Sequence, residues 1–172
     1  MSKKTKRVIV WSTAISNLLD GKKAVGGIAV QLYFWAQAFA CNGWDVQTLT
    51  QGKSFNKDNV VFKKWLNWGK MEIVHEWIGL FWRLLLLRPA LVISRGADRV
   101  AYPLVVLTKL LGVKYVFFGA SDVNFEIGKE LMAGGKHNRI LWQKAVPKIE
   151  NIVVQNQHQQ TTLKMNYHKD SL

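Results

Sequence analysis

Four short runs of near-continuous apolar residues, rich in β-branched and aromatic types, constrain this chain most. They are Val8-Ile9-Val10-Trp11, Leu91-Val92-Ile93, Tyr115-Val116-Phe117-Phe118 and Ile152-Val153-Val154. A strand with one wet face alternates apolar and polar residues, whereas a strand covered on both faces does not. Helix-length segments lie between such runs, so right-handed β-α-β crossovers and a parallel sheet are expected. The sequence predicts strands at Arg7–Trp11, Asp45–Thr50, Asn59–Phe62, Ala90–Ser94, Lys114–Phe118 and Ile149–Gln155. Helical patterns run from Gly26-Gly27 to a stop at Asn42-Gly43, over 70–87, over 97–111, and from a capping Asn156 to Tyr167. Pro103 delays or kinks the third of these. The Lys-rich link before Asn59 reads as a loop, and Gly134-Gly135 separates two helical pieces. The expected fold is α/β: one doubly wound, mostly parallel, Rossmann-like sheet of five to six strands.

The 172 residues suit a single domain, and 49% hydrophobic against 20% charged excludes a disordered chain. A single cysteine, Cys41, cannot form an internal disulfide and is compatible with a reducing compartment; on an apolar helical pattern it reads as core packing. The four histidines, His75, His137, His158 and His168, have no metal-ligand spacing, so no metal is expected. The apolar run behind the basic Lys3–Arg7 start is too short for a signal peptide. The stretch Ile73–Leu87 is interrupted by His75, Glu76 and Arg83 and is too short to span a bilayer. A soluble, cytoplasmic chain is expected, at most peripheral at the inner face of a membrane.

The net charge of +13 is concentrated in residues 1–23, 51–70 and 129–148, at +5, +4 and +4. Concentration of one sign favours an anionic partner, namely lipid headgroups, a phosphorylated substrate or nucleic acid; the alternative is a solvated face that aids solubility. Trp65, Trp68, Trp77 and Trp82 lie in or just before the 70–87 helix, among Lys63, Lys64, Lys70, Arg83 and Arg88. That mixture suits either a core helix or one with a tryptophan and lysine edge on an anionic membrane. No nucleic-acid motif is present, so nucleic acid is the weaker partner.

Open α/β sheets bind ligands outside the carboxyl ends of their strands. That rule singles out Gly26 and Gly27, Arg95, Asp122, Asn124 and Gln155. The two glycines open a helix whose free N–H groups favour an anion, or they are simple loop glycines. About fifteen residues separate them from the first strand, and no acid closes the second, so a dinucleotide fingerprint is not met. Arg95 can hold a phosphate or carboxylate, or pair with Asp98. Asp122 is the candidate catalytic carboxylate, as base or sugar-hydroxyl acceptor, against an Asx turn or cap. Gln155 can turn its amide into the cleft.

The order of these features resembles the start of GT-B glycosyltransferases of family four. The resemblance rests on Lys6–Trp11, Gly26-Gly27-Ile28, Ala38–Val46 with Leu49-Thr50, Pro89–Gly96, and Ile152–Asn156 with Gln159. It implies the acceptor-side half of a two-domain enzyme, which transfers a sugar from a nucleotide-sugar donor to a polysaccharide precursor or lipid-linked acceptor, with no cofactor. Gly26, Gly27, Arg95, Asp122 and Gln155 would then line the cleft. The donor-gripping E-x7-E pair has no counterpart, since Glu126 and Glu130 are too close together and in the wrong half; a donor-binding C-terminal domain would be needed. Where members often carry a His after the fifth strand, this chain has Ser121, so roles assigned through that His do not carry over. The competing expectation is a basic module that binds nucleic acid or a membrane surface without catalysis.

Overall fold

The computed structural model describes residues 6–11, 27–50, 55–57, 59–64, 72–98, 100–129 and 135–172. The sheet has seven strands in the order β3-β4-β2-β1-β5-β6-β7. The chain divides into two compact units, Met1–Ile93 and Ser94–Leu172, with the division falling inside β5 (Leu91–Arg95).

In the first unit, β1 (Arg7–Trp11) pairs in parallel with β2 (Asp45–Thr50), which pairs in parallel with β4 (Val60–Lys64). Val8, Ile9, Val10 and Trp11 are all buried, as a strand covered on both faces requires. Helix α1 (Gly27–Cys41) buries Ala29, Leu32 and Ala36, one stripe at helical spacing. Gly43, at φ 77°, takes the left-handed conformation that ends it. Arg7 joins three elements: its Nε and Nη2 both lie 2.5 Å from Asp45 Oδ2, and Nη1 donates to Leu87 O at 2.6 Å. The last contact puts a cation at the carbonyl end of α2 (Glu72–Leu87), where the helix dipole favours it.

Two expectations fail in this unit. The Lys-rich link contains β3 (Phe55–Lys57), antiparallel to β4, which brings the strand count to seven. The cause is local. Lys57 and Val60 are opposite each other across two residues, and Asn59 sits at φ 62°, the left-handed backbone that tight hairpins demand. Cys41 is exposed at the end of α1, not in the core.

In the second unit, β6 (Lys114–Phe118) pairs in parallel with β7 (Asn151–Val153). Helices α3 (Ala101–Leu110), α4 (Gly135–Ala145) and α5 (Gln157–Tyr167) connect or follow them, with 3₁₀ turns at Asp122–Asn124 and Val146–Lys148. Helix α3 starts four residues later than the sequence pattern. Asp98 accepts from Val100 N through Oδ1 at 3.2 Å and from Ala101 N through its carbonyl at 3.0 Å. Pro103 thereby falls in the first turn, where its missing N–H breaks no bond. The core is aromatic: Phe117 packs on Trp142 at 4.8 Å between ring centres and edge-on to Phe125 at 6.2 Å. Beneath it the Tyr115 hydroxyl meets Ser94 Oγ at 2.6 Å, and burial raises the phenol well above its ordinary pKa, so it stays neutral.

Candidate functional site

The chemistry of the second unit gathers where β6 and β7 end. Gly119 leaves β6 and donates to Val153 O at 2.9 Å. The loop behind it is built from side chains. Asn124 is buried, and its Oδ1 accepts from the N–H groups of Ala120 (2.8 Å) and Ser121 (3.0 Å). Trp142 Nε1 donates to Asn124 O at 2.7 Å, and Asn166 Nδ2 donates to Phe125 O at 2.8 Å. Backbone polar groups that no ladder reaches are thus satisfied, as a folded loop requires.

This loop presents Asp122 to the first turn of α5. Its Oδ1 accepts from Asn156 Nδ2 at 3.0 Å and from Gln159 Nε2 at 3.1 Å. These two amides hold the Asp122 carboxyl below the usual carboxylate range, and His158 adds a smaller pull in the same direction. Gln159 is 1% exposed, and both ends of its amide are engaged, because Oε1 accepts from Gln155 N at 3.0 Å. Asn156 also caps α5, accepting from Gln159 N at 2.8 Å. Gly119 is what leaves room: a Cβ there would lie 2.7 Å from Gln159 Oε1 and 3.1 Å from the Phe125 ring. One helix turn therefore fixes the acid, and only glycine lets that turn approach.

Gln155 and Arg95 form the neighbouring pair. With its amide oxygen facing the guanidinium, Gln155 accepts from Arg95 Nη2, and from Nη1 at 3.3 Å. Burial lowers the Arg95 pKa, leaving it a cation at neutral pH. On the far side of the acid, Glu126 Oε1 stands 3.6 Å from His158 Nε2, and Oε2 is 2.9 Å from Lys129 Nζ. Lys129 and His158 hold the Glu126 carboxyl below its ordinary pKa, with the lysine bond the larger cause.

Of the residues singled out from sequence, Arg95 meets Gln155, and Asp122 meets Asn156 and Gln159. Asn124 turns its amide oxygen back into its own loop. Gly27 opens α1 in the first unit, and Gly26 lies outside the described residues. So do Trp65, Trp68, Lys70 and most of the basic segment before residue 24. Sequence reasoning assigned no role to His158 or Glu126. It took Asn156 only as a cap and Gln159 only as part of a pattern, although their three-residue spacing already put both in the first turn of one helix. No group of His, Cys, Asp or Glu among the described residues could hold a metal ion, and no helix among them is long and apolar enough to cross a membrane.

Neither a known family model nor any curated protein matches the sequence. Solved structures do. Sucrose-phosphate synthase from Thermosynechococcus elongatus is similar over 96% of this chain and 46% of its own, with a TM-score of 0.66 and 8% identity. The chain has a Rossmann-like α/β fold. UGT73P12 from Glycyrrhiza uralensis, solved with glycyrrhetinic acid 3-O-monoglucuronide, is similar over 98% of this chain and 48% of its own (TM-score 0.54, 10% identity). UDP-GlcNAc 2-epimerase from Methanocaldococcus jannaschii is similar over 94% and 42% (TM-score 0.54, 11% identity). The chain therefore spans slightly less than half the length of each of these structures.

Proposed function

We propose that this chain is the acceptor-side half of a GT-B glycosyltransferase of the family-four type. It would move a sugar from a nucleotide-sugar donor to a polysaccharide precursor or lipid-linked acceptor. The observation that carries the reading is the ionised Asp122, fixed by Asn156 and Gln159 at the carboxyl ends of the strands. A carboxylate so held can accept a hydrogen bond from a sugar hydroxyl and take up its proton as the new bond forms. Arg95, steadied by Gln155, suits an anionic group on either substrate. The amino end of α1, opened by Gly27, favours a departing nucleotide diphosphate through its free N–H groups. The likeness to halves of proteins named for sucrose phosphate, a glucuronide and UDP-GlcNAc supports sugar chemistry in kind. The single exposed thiol, Cys41, goes with a reducing, cytoplasmic location.

Sugar transfer should be assayed with this chain alone and joined to a donor-binding domain of a GT-B glycosyltransferase. The joined protein should turn over and the isolated chain should not; equal rates would overturn the half-enzyme reading. In the joined protein, Asp122→Asn should cut the rate by about 10²–10⁴-fold, with unchanged circular dichroism.

A further inference from the structure

The second unit carries a groove that sugar transfer leaves unused, between the carboxyl end of α3, the start of β6 and the turn into β7. Its volume of about 460 Å³ falls in the range of small-molecule sites. Val105, Val113 and Ile149 give it an apolar wall. Its charge is one-sided. Lys109, Lys114 and Lys148 reach it from three separate elements, against one acid among the described lining residues, Glu150. Cations gathered over an apolar wall focus their field on whatever anion enters.

Two of the three ammonium groups are uncommitted. Lys114 and Lys148 are exposed and have no hydrogen-bond or ion-pair partner among the described residues. Lys109 Nζ lies 3.6 Å from Glu150 Oε1, with side chains 73% and 72% exposed, a loose pair that an anion can displace at little cost. Nor are the lysines needed to close the helix end. Leu111, Gly112 and Val113 donate to the carbonyls of Leu107, Lys109 and Thr108, at 2.8 to 3.3 Å. Asn151 Nδ2 donates to Tyr115 O at 3.2 Å, which leaves its Oδ1 without a donor among the described residues. The groove thus offers free cations, one open acceptor and an apolar wall. A phosphate dianion meets several ammonium groups at once, as a single carboxylate does not. Inorganic phosphate alone would leave most of the volume and the whole apolar wall unfilled, so the ligand carries an organic body.

We propose that this groove binds a small phosphomonoester, with its phosphate on Lys114 and Lys148, its organic part against Val113 and Ile149, and a hydroxyl donating to Asn151. Lys114 and Phe118 stand at opposite ends of β6, about 13 Å apart, so the site is separate from Asp122 and independent of the sugar-transfer reading. The test is amide NMR of the 172-residue chain titrated with AMP, ribose 5-phosphate, adenosine and inorganic phosphate. AMP or ribose 5-phosphate should shift the amides of Gly112, Lys114, Glu150 and Asn151 saturably, in the millimolar range or below. Lys114→Gln and Lys148→Gln should each weaken binding about three- to tenfold, with unchanged melting, as fits exposed positions. Lys164→Gln, which removes the same charge from α5, should leave it as it was. Adenosine and inorganic phosphate should bind more weakly, since each lacks half of what the groove recognises. Binding of either as tight as the phosphomonoesters would overturn the proposal, as would equal weakening by Lys164→Gln. So would shifts confined to the Asp122 loop and the first turn of α5, or no saturable shift with either phosphomonoester.

Discussion

In the loop after β6, backbone groups left without a ladder partner are met by side chains: Asn124 from within the loop, and Trp142 and Asn166 from helices further along the chain. Along α2 the contrast is plain: large apolar side chains face outward. The first region is self-sufficient, and the second is stable but incomplete. Their difference teaches that polar closure and apolar closure are separate conditions. A segment closed in the polar sense is poised to hold a small polar ligand in fixed geometry. One left open in the apolar sense keeps hydrophobic surface in contact with water.

The largest expected effect breaks the loop from below. Trp142→Ala removes the core ring against Phe117 and abandons the Asn124 carbonyl, and should cost about 3–5 kcal/mol by urea denaturation. A loss under 1 kcal/mol would mean that the loop does not depend on this support. Arg7→Ala comes next, at about 1.5–3 kcal/mol, because a paired carboxylate and a helix-end carbonyl lose one partner together. Gly119→Ala forces Gln159 aside and should destabilise by about 1–3 kcal/mol. It should also raise the Asp122 pKa, read by carboxyl NMR.

Gln159→Leu isolates that electrostatic effect. Because the folded Asp122 pKa lies below its unfolded value, the ionised acid favours the fold above the unfolded pKa. That favour is lost as pH falls through the folded pKa. The variant should show a raised Asp122 pKa and a shallower loss of stability across this acid window, and an unchanged titration would remove Gln159 from the assignment. The smallest effect sharpens the other side of the comparison: Leu86→Glu should change stability by no more than about 0.5 kcal/mol.

The parallel strands were legible because burial on both faces writes itself as unbroken apolar runs. The helix stop at Gly43 and the Asn156 cap were legible because each answers a local backbone need. The hairpin at β3 left a signal, two residues ending in Asn between short runs, but the surrounding lysines made the link read as a loop. Exposure of Cys41 was hidden because α1 is apolar on most of its circumference, so periodicity did not tell its inner face from its outer one. The support of Asp122 depends on partners 34 and 37 residues away, and spacing along a chain does not report which loop a helix turn will meet. Sequence could nominate the acid; only the packing of α5 against Gly119 reveals what steadies it.

Strand β3 has one more effect. Among the described residues it offers three positions on its outer side, two of them the exposed Asn56 and Lys57. A border so brief and so hydrophilic gives a passing strand little to zip onto, and a lysine there repels its own kind. Concentrated solutions should therefore resist fibrous stacking along this margin, and lengthening it with valines would be a direct way to make the protein precipitate.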